Sequence, residues 1–280
     1  MSGLETLMDG LTFPEGPRWH QGRLWFSDFY SHRVIAVDPE GEAETVCEVA
    51  QQPSGLGWLP DGSLLVVSMR DQALLRLSGG ALHPYADLSG HARYWCNDMV
   101  VDAAGRAWVG NFGFNRHEGE QPRSTTLVRV DPDGSCHIAA RGLWFPNGCA
   151  ITPDGRTLIV AETRARRLCV FGICDGATLV NRRIFAETAT MYPDGICLDA
   201  EGAVWVADPH NSEVVRFRDG GTVAERIRLE GRAPYACMLG GDDRRTLYLC
   251  TCTGSGPEIA RARSGRIEFT RVEVPGAGLP

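Results

Sequence analysis

Three short segments hold the most suggestive chemistry in the chain: Phe-Pro-Glu-Gly at 13–16, Phe-Pro-Asn-Gly at 145–148 and Tyr-Pro-Asp-Gly at 192–195. Each sets one oxygen-bearing side chain (Glu15, Asn147, Asp194) between a proline that fixes φ and a glycine that lets the backbone turn closely behind it. Carboxylate and amide oxygens are the donors that hard divalent cations select, calcium above all. Three such oxygens on distant segments predict a metal site that only the fold can assemble.

The elements that would assemble it are visible as a repeat. Each segment opens a longer unit of X-Gly, a short apolar run, a Pro-Asp-Gly-like turn and an alternating apolar strand. The unit occurs six times, beginning at Glu15, Ser54, Asn97, Asn147, Asp194 and Tyr235. The second residues of the units (Gly16, Gly55, Asp98, Gly148, Gly195, Ala236) are spaced by 39, 43, 50, 47 and 41 residues. That period suits a propeller blade of about 40 to 50 residues. Tight turns at 20–22, 60–62, 104–105, 153–155 and 201–202 join the first two strands, and runs such as 33–38, 126–131 and 213–217 supply a third. With no long helical period, the reading is all-β, a six-bladed β-propeller in one domain over 1–280. The N-terminal residues are expected to close the last blade, because an unpaired edge invites aggregation.

Equivalent positions in a propeller converge on its axis. The ring reads Glu15, Ser54, Asn97, Asn147, Asp194, Tyr235. Asn and Asp often cap turns one at a time, but two carboxylates and two amides in one ring favour a divalent ion, with Asn97 the fourth donor. The connections after the second strands would surround that ion, which makes Tyr30, Arg70, Phe112, Phe114, Asn115, Arg164 and His210 candidate substrate contacts. The longest of them, at 111–121, is a candidate lid.

Composition excludes other classes. Lys+Arg total 28 against 35 Asp+Glu, a net charge of −7, and no basic stripe exists to track phosphates, so nucleic acid is not an expected partner. The N-terminal MSGLETLMDGL has no basic or apolar leader pattern, and no run approaches the ~20 apolar residues of a membrane span. A cytoplasmic protein with reduced thiols is expected, and most of its ten cysteines fall in apolar strand-like runs without any Cys-x-x-Cys pair. No Gly-x-Ser-x-Gly nucleophile elbow occurs either.

FPEGP, the ND of CNDMVVDAAG, FPNGCAITPDG and YPDGICLDAEGAVWVAD resemble the SMP-30/gluconolactonase/LRE family of six-bladed propellers over nearly the whole chain. The resemblance implies a divalent ion, calcium or zinc among others (magnesium and manganese have the same access), held by residues matching Glu15, Asn147 and Asp194. It places Asn97 near the ion or on substrate, and it implies a small-molecule lactone or ester substrate, with phosphoester cleavage by related propellers as the alternative. Metal-assisted opening of a cyclic ester would use Asp194 as ligand and general base, Glu15 and Asn147 to fix the ion, and Asn97 to orient substrate. A non-enzymatic binding propeller with a structural ion is the reading from another class. The chain departs from the sugar-lactone pattern Arg-x-Asn-Asp by having Trp95 and Cys96 before Asn97, with Arg93 displaced, and by a Phe-rich loop around Asn115. That departure implies a less polar substrate than gluconolactone.

Overall fold

Residues 3–279 are described by a computed structural model. Six four-stranded antiparallel sheets follow one another along the chain, as the repeat requires. From the axis outward they are 14–20, 23–28, 33–37 and 43–48 in blade one; 53–58, 64–68, 73–78 and 81–87 in blade two; and 96–101, 107–111, 125–130 and 136–143 in blade three. Blade four comprises 146–151, 157–162, 167–173 and 179–187, and blade five 196–198, 204–208, 213–217 and 223–228. Blade six is built from 233–240, 246–252 and 265–271, and its outermost strand is Glu5–Leu11. That N-terminal strand runs antiparallel to 265–271, with Glu5 opposite Phe269 and Leu11 opposite Gly265, so the ring is fastened by its own first residues.

The X-Gly pattern has a packing cause. A Cβ placed on Gly55 would lie 2.4 Å from the Met99 nitrogen, one on Gly148 2.5 Å from the Ile196 nitrogen, and one on Gly195 2.4 Å from the Ala236 Cβ. Neighbouring inner strands therefore approach at distances only glycine permits. The register also breaks at this place in the inner strands of blades one, two, three, four and six, where a bulge re-aims the preceding side chain. Blade three carries Asp98 where a glycine would repeat, and this carboxylate meets the Arg18 guanidinium at 2.6 Å. Arg18 is 2% exposed and also donates to the carbonyls of Pro17 (2.7 Å), Leu56 (3.1 Å) and Met99. It ties blade one to the inner strands of blades two and three.

Apolar side chains fill the wedges between blades, with Trp108, Trp205 and Phe26 among the largest that are fully buried. At the opposite end of the inner strands the C-terminal tail crosses several blades. Gly276 donates to the Arg244 carbonyl, Ala277 to that of Leu198, and Leu279 exchanges two backbone hydrogen bonds with Ile151. Among the described residues no helix is long and apolar enough to cross a membrane.

Candidate active site

A cavity of about 770 Å³ opens on the face where the inner strands begin. Five of the six ring positions line it: Glu15, Asn97, Asn147, Asp194 and Tyr235. Ser54 does not. Its carbonyl is engaged by the Ser27 hydroxyl at 2.6 Å, its side chain is buried, and Gln52 lines the cavity from that blade instead.

The aromatic-Pro-X-Gly frames are held from within their own blades. In blades one, four and five the second strand ends on a fully buried carboxylate, Asp28, Glu162 or Asp208. Asp28 accepts the Phe13 N–H at 2.7 Å, Glu162 the Trp144 N–H at 2.9 Å and Asp208 the Tyr192 N–H at 3.1 Å. The frames of blades one and five are thus tied to the next strand at their first residue, and that of blade four at the residue before it, which sets the X side chain toward the cavity. The same three blades supply Glu15, Asn147 and Asp194. This recurrence of an acidic residue at the second strand's end was readable in the repeat but was not singled out from it.

Electrostatics at the floor are strained. Burial raises Glu15 well above the ordinary carboxylate range, with the Asp194 charge adding to it, while the Gly16 N–H at 2.9 Å pulls the other way. Burial pushes Asp194 up to about 7, opposed chiefly by the Arg116 charge and a hydrogen bond from Asn147. The Asn147 amide also donates to the Thr163 hydroxyl at 3.2 Å, which itself donates to the Pro193 carbonyl at 2.7 Å. The amide nitrogen of Asn147 is thus oriented toward Thr163, which leaves its oxygen as a candidate donor to a cation. The Asn97 Nδ2, on a residue 6% exposed, has no hydrogen-bond partner among the described residues.

Among the described residues no three His, Cys, Asp or Glu side chains come together as a metal-ligand group. The donors at the floor are two carboxylates and amides. They fit a hard divalent cation on chemistry: burial raises both acids, and the Asp194 charge raises Glu15 further, a penalty that such a charge would relieve.

Tyr30, Arg70, Phe112, Arg164 and His210 line the upper cavity, as expected from their connections. Tyr30 accepts the Gly256 N–H at 3.0 Å, and His210 meets the Tyr192 ring edge-on at 5.0 Å. Two expected contacts are not brought there. Phe114 is 2% exposed and packs behind Phe145, with ring centroids 6.0 Å apart. The Asn115 side chain turns into its own loop, accepting from the Tyr94 hydroxyl at 2.9 Å and the Glu118 N–H at 3.2 Å. The long connection is therefore anchored through its phenylalanines, Phe112 stacking on Phe145 at 4.5 Å, and it sends Arg116 to the cavity in place of Asn115. Gln52, Trp95, Arg116 and Tyr192 were not foreseen as lining residues.

Residues 13–253 match the model of the SMP-30/gluconolactonase/LRE-like region. The chain belongs to this family. It is 28% identical over 247 residues to the pentonolactonase of Haloferax volcanii, covering 86% of this chain and 82% of that protein. It is equally 28% identical over 280 residues to a 6-deoxy-6-sulfogluconolactonase of Pseudomonas putida, covering 95% and 93%. In fold it superposes on a calcium-binding protein of Agrobacterium tumefaciens, regucalcin, with a TM-score of 0.81 at 20% identity, over 98% of this chain and 95% of that one.

Proposed function

We propose that this member of the family opens a lactone ring by metal-assisted hydrolysis, with Glu15, Asn147 and Asp194 holding the ion. The observation that carries this reading is the convergence of two buried carboxylates, Glu15 and Asp194, with Asn97 and Asn147 in the lining of one cavity, where burial raises both acids above the ordinary carboxylate range. The lactonase names of the two relatives support the reaction class. Hard oxygen donors favour calcium, the ion named for the regucalcin of like fold. A divalent cation at such a site supplies Lewis-acid polarisation of an ester carbonyl and a more acidic water.

The chain's own residues do the rest. Asp194, raised by burial in the metal-free site and ionised once a divalent charge offsets that burial, is placed to accept a proton from the attacking water. Asn147 is oriented by Thr163, whose hydroxyl in turn holds the Pro193 carbonyl next to Asp194. Asn97 offers its unmatched N–H groups to substrate. Burial and the Asp194 charge raise the Tyr235 phenol, so it stays a hydrogen-bond donor at neutral pH. Aromatic walls from Phe13, Phe29, Phe112 and Phe145 keep the floor dry and cover the apolar part of the ring. A reducing, cytoplasmic setting belongs to the same reading, since all ten cysteines are free thiols.

The test is turnover of aliphatic, aromatic and sugar lactones by chelated protein with calcium, zinc, magnesium or manganese restored. Asp194→Ala and Glu15→Ala are each expected to lower kcat/KM by at least ~10²-fold. Undiminished turnover in both variants would refute the proposal. Calcium binding without any turnover would leave a binding propeller.

A further inference from the structure

The mouth of the cavity is cationic. Arg70, Arg116 and Arg164 line it from the connections of blades two, three and four, and all three are exposed. Among the described residues none of them is in an ion pair. Each guanidinium rests on an aromatic face instead: Arg70 lies 5.1 Å from the Trp95 ring, Arg116 5.6 Å from Phe112 and Arg164 5.7 Å from Phe114. A guanidinium supported on a ring keeps its N–H edge open, in the fork geometry that grips an oxyanion.

The positive charges act on one place. Arg70 and Arg116 both bear on the hydroxyls of Tyr30 and Tyr94, and Arg116 also bears on Asp194 below. Glu258 acts on Tyr30, and Glu118 and Glu120 on Tyr94, but none of the three lines the cavity: Glu258 and Glu118 are exposed and Glu120 is paired with Arg123. At the floor, Glu15 and Asp194 are matched by the divalent ion of the preceding section, on which this inference rests. The three guanidiniums are then the unbalanced charge of the site. Apolar walls beneath a positive mouth focus the field and select a ligand with one apolar body and one anionic end. The aromatic walls suit the less polar substrate expected from the sequence, and the rim adds a positive charge to that picture.

We propose that the lactone taken by this cavity carries a carboxylate or comparable small oxyanion away from the ester, gripped at the mouth by Arg116 with Arg70 and Arg164. The calcium-loaded protein is assayed on a γ-lactone bearing a carboxylate and on the corresponding neutral amide, at low and high salt. In parallel, the carboxylate-bearing γ-lactam, which resists opening, is titrated calorimetrically against its amide. The carboxylate lactone is expected to show at least ~10-fold higher kcat/KM at low salt, a preference that shrinks as salt screens the contact. Arg116→Gln should lower the carboxylate-to-amide ratio about tenfold, and Arg70→Gln added to it should lower the ratio further. The lactams should bind with the same order of preference.

A ratio near one in the unmodified protein, or a ratio that the arginine variants leave unmoved, overturns this inference and leaves lactone opening standing. Failure to open either lactone overturns the lactonase reading. The lactam titration then decides the anion site alone, and equal binding of the charged and neutral lactams overturns it.

Discussion

Asp194 links the chemistry of the floor to the stability of the fold. Its carboxyl ionises near the ordinary 3.8 when unfolded and near about 7 when folded, because burial penalises the charge. Between those values the folded state keeps a proton that the unfolded state has released, so stability falls as pH rises through that window. The contribution is neutral below the lower value and fully unfavourable above the upper one. Glu15 shifts in the same direction and adds to the trend. Metal-free protein is therefore expected to melt at progressively lower temperature from about pH 4 to pH 7, and the rise in Tm on adding calcium should be larger at about pH 8 than at about pH 5. Thermal scans with and without chelator check both. Asp194→Asn removes the charge: it should flatten the metal-free profile and abolish most of the calcium-dependent rise.

Strands and the connections between them account for what the sequence made legible. The inner strands were readable because close packing demands glycine after X and because turn residues mark each hairpin, so a physical constraint left a periodic trace. Gly195 shows the constraint most directly, its missing Cβ standing 2.4 Å from the Ala236 Cβ. Gly195→Ala should destabilise the protein by about 1–3 kcal/mol through forced separation of blades five and six, a loss measurable as a lower denaturant midpoint. The connections leave no such trace. Gln52 reaches the cavity with φ at 74°, and Arg116 does so from an insertion found in one blade only, so no counterpart elsewhere in the repeat announces either. Phe114 and Asn115 misled for the same reason: alternate residues of an irregular loop face different ways, and no period says which. The buried acids Asp28, Glu162 and Asp208 were legible in principle, since they recur with the frames they tie down.

At the scale of the whole ring, closure rests on pairing between the two ends of the chain. Removing residues 5–11 would strip the outer strand from blade six and expose the edge of 265–271. Such a truncation is expected to lower Tm markedly and to yield aggregates on size-exclusion chromatography, whereas an exposed substitution such as Glu5→Gln should do neither. The cavity opens where the inner strands begin, while Arg18, held by Asp98 and three backbone carbonyls, ties blades one, two and three together, and the tail from Gly276 to Leu279 runs across the blades at the far end. A hydroxy acid that departs by this mouth competes there with the incoming ester, so slow release of product would throttle turnover at high conversion.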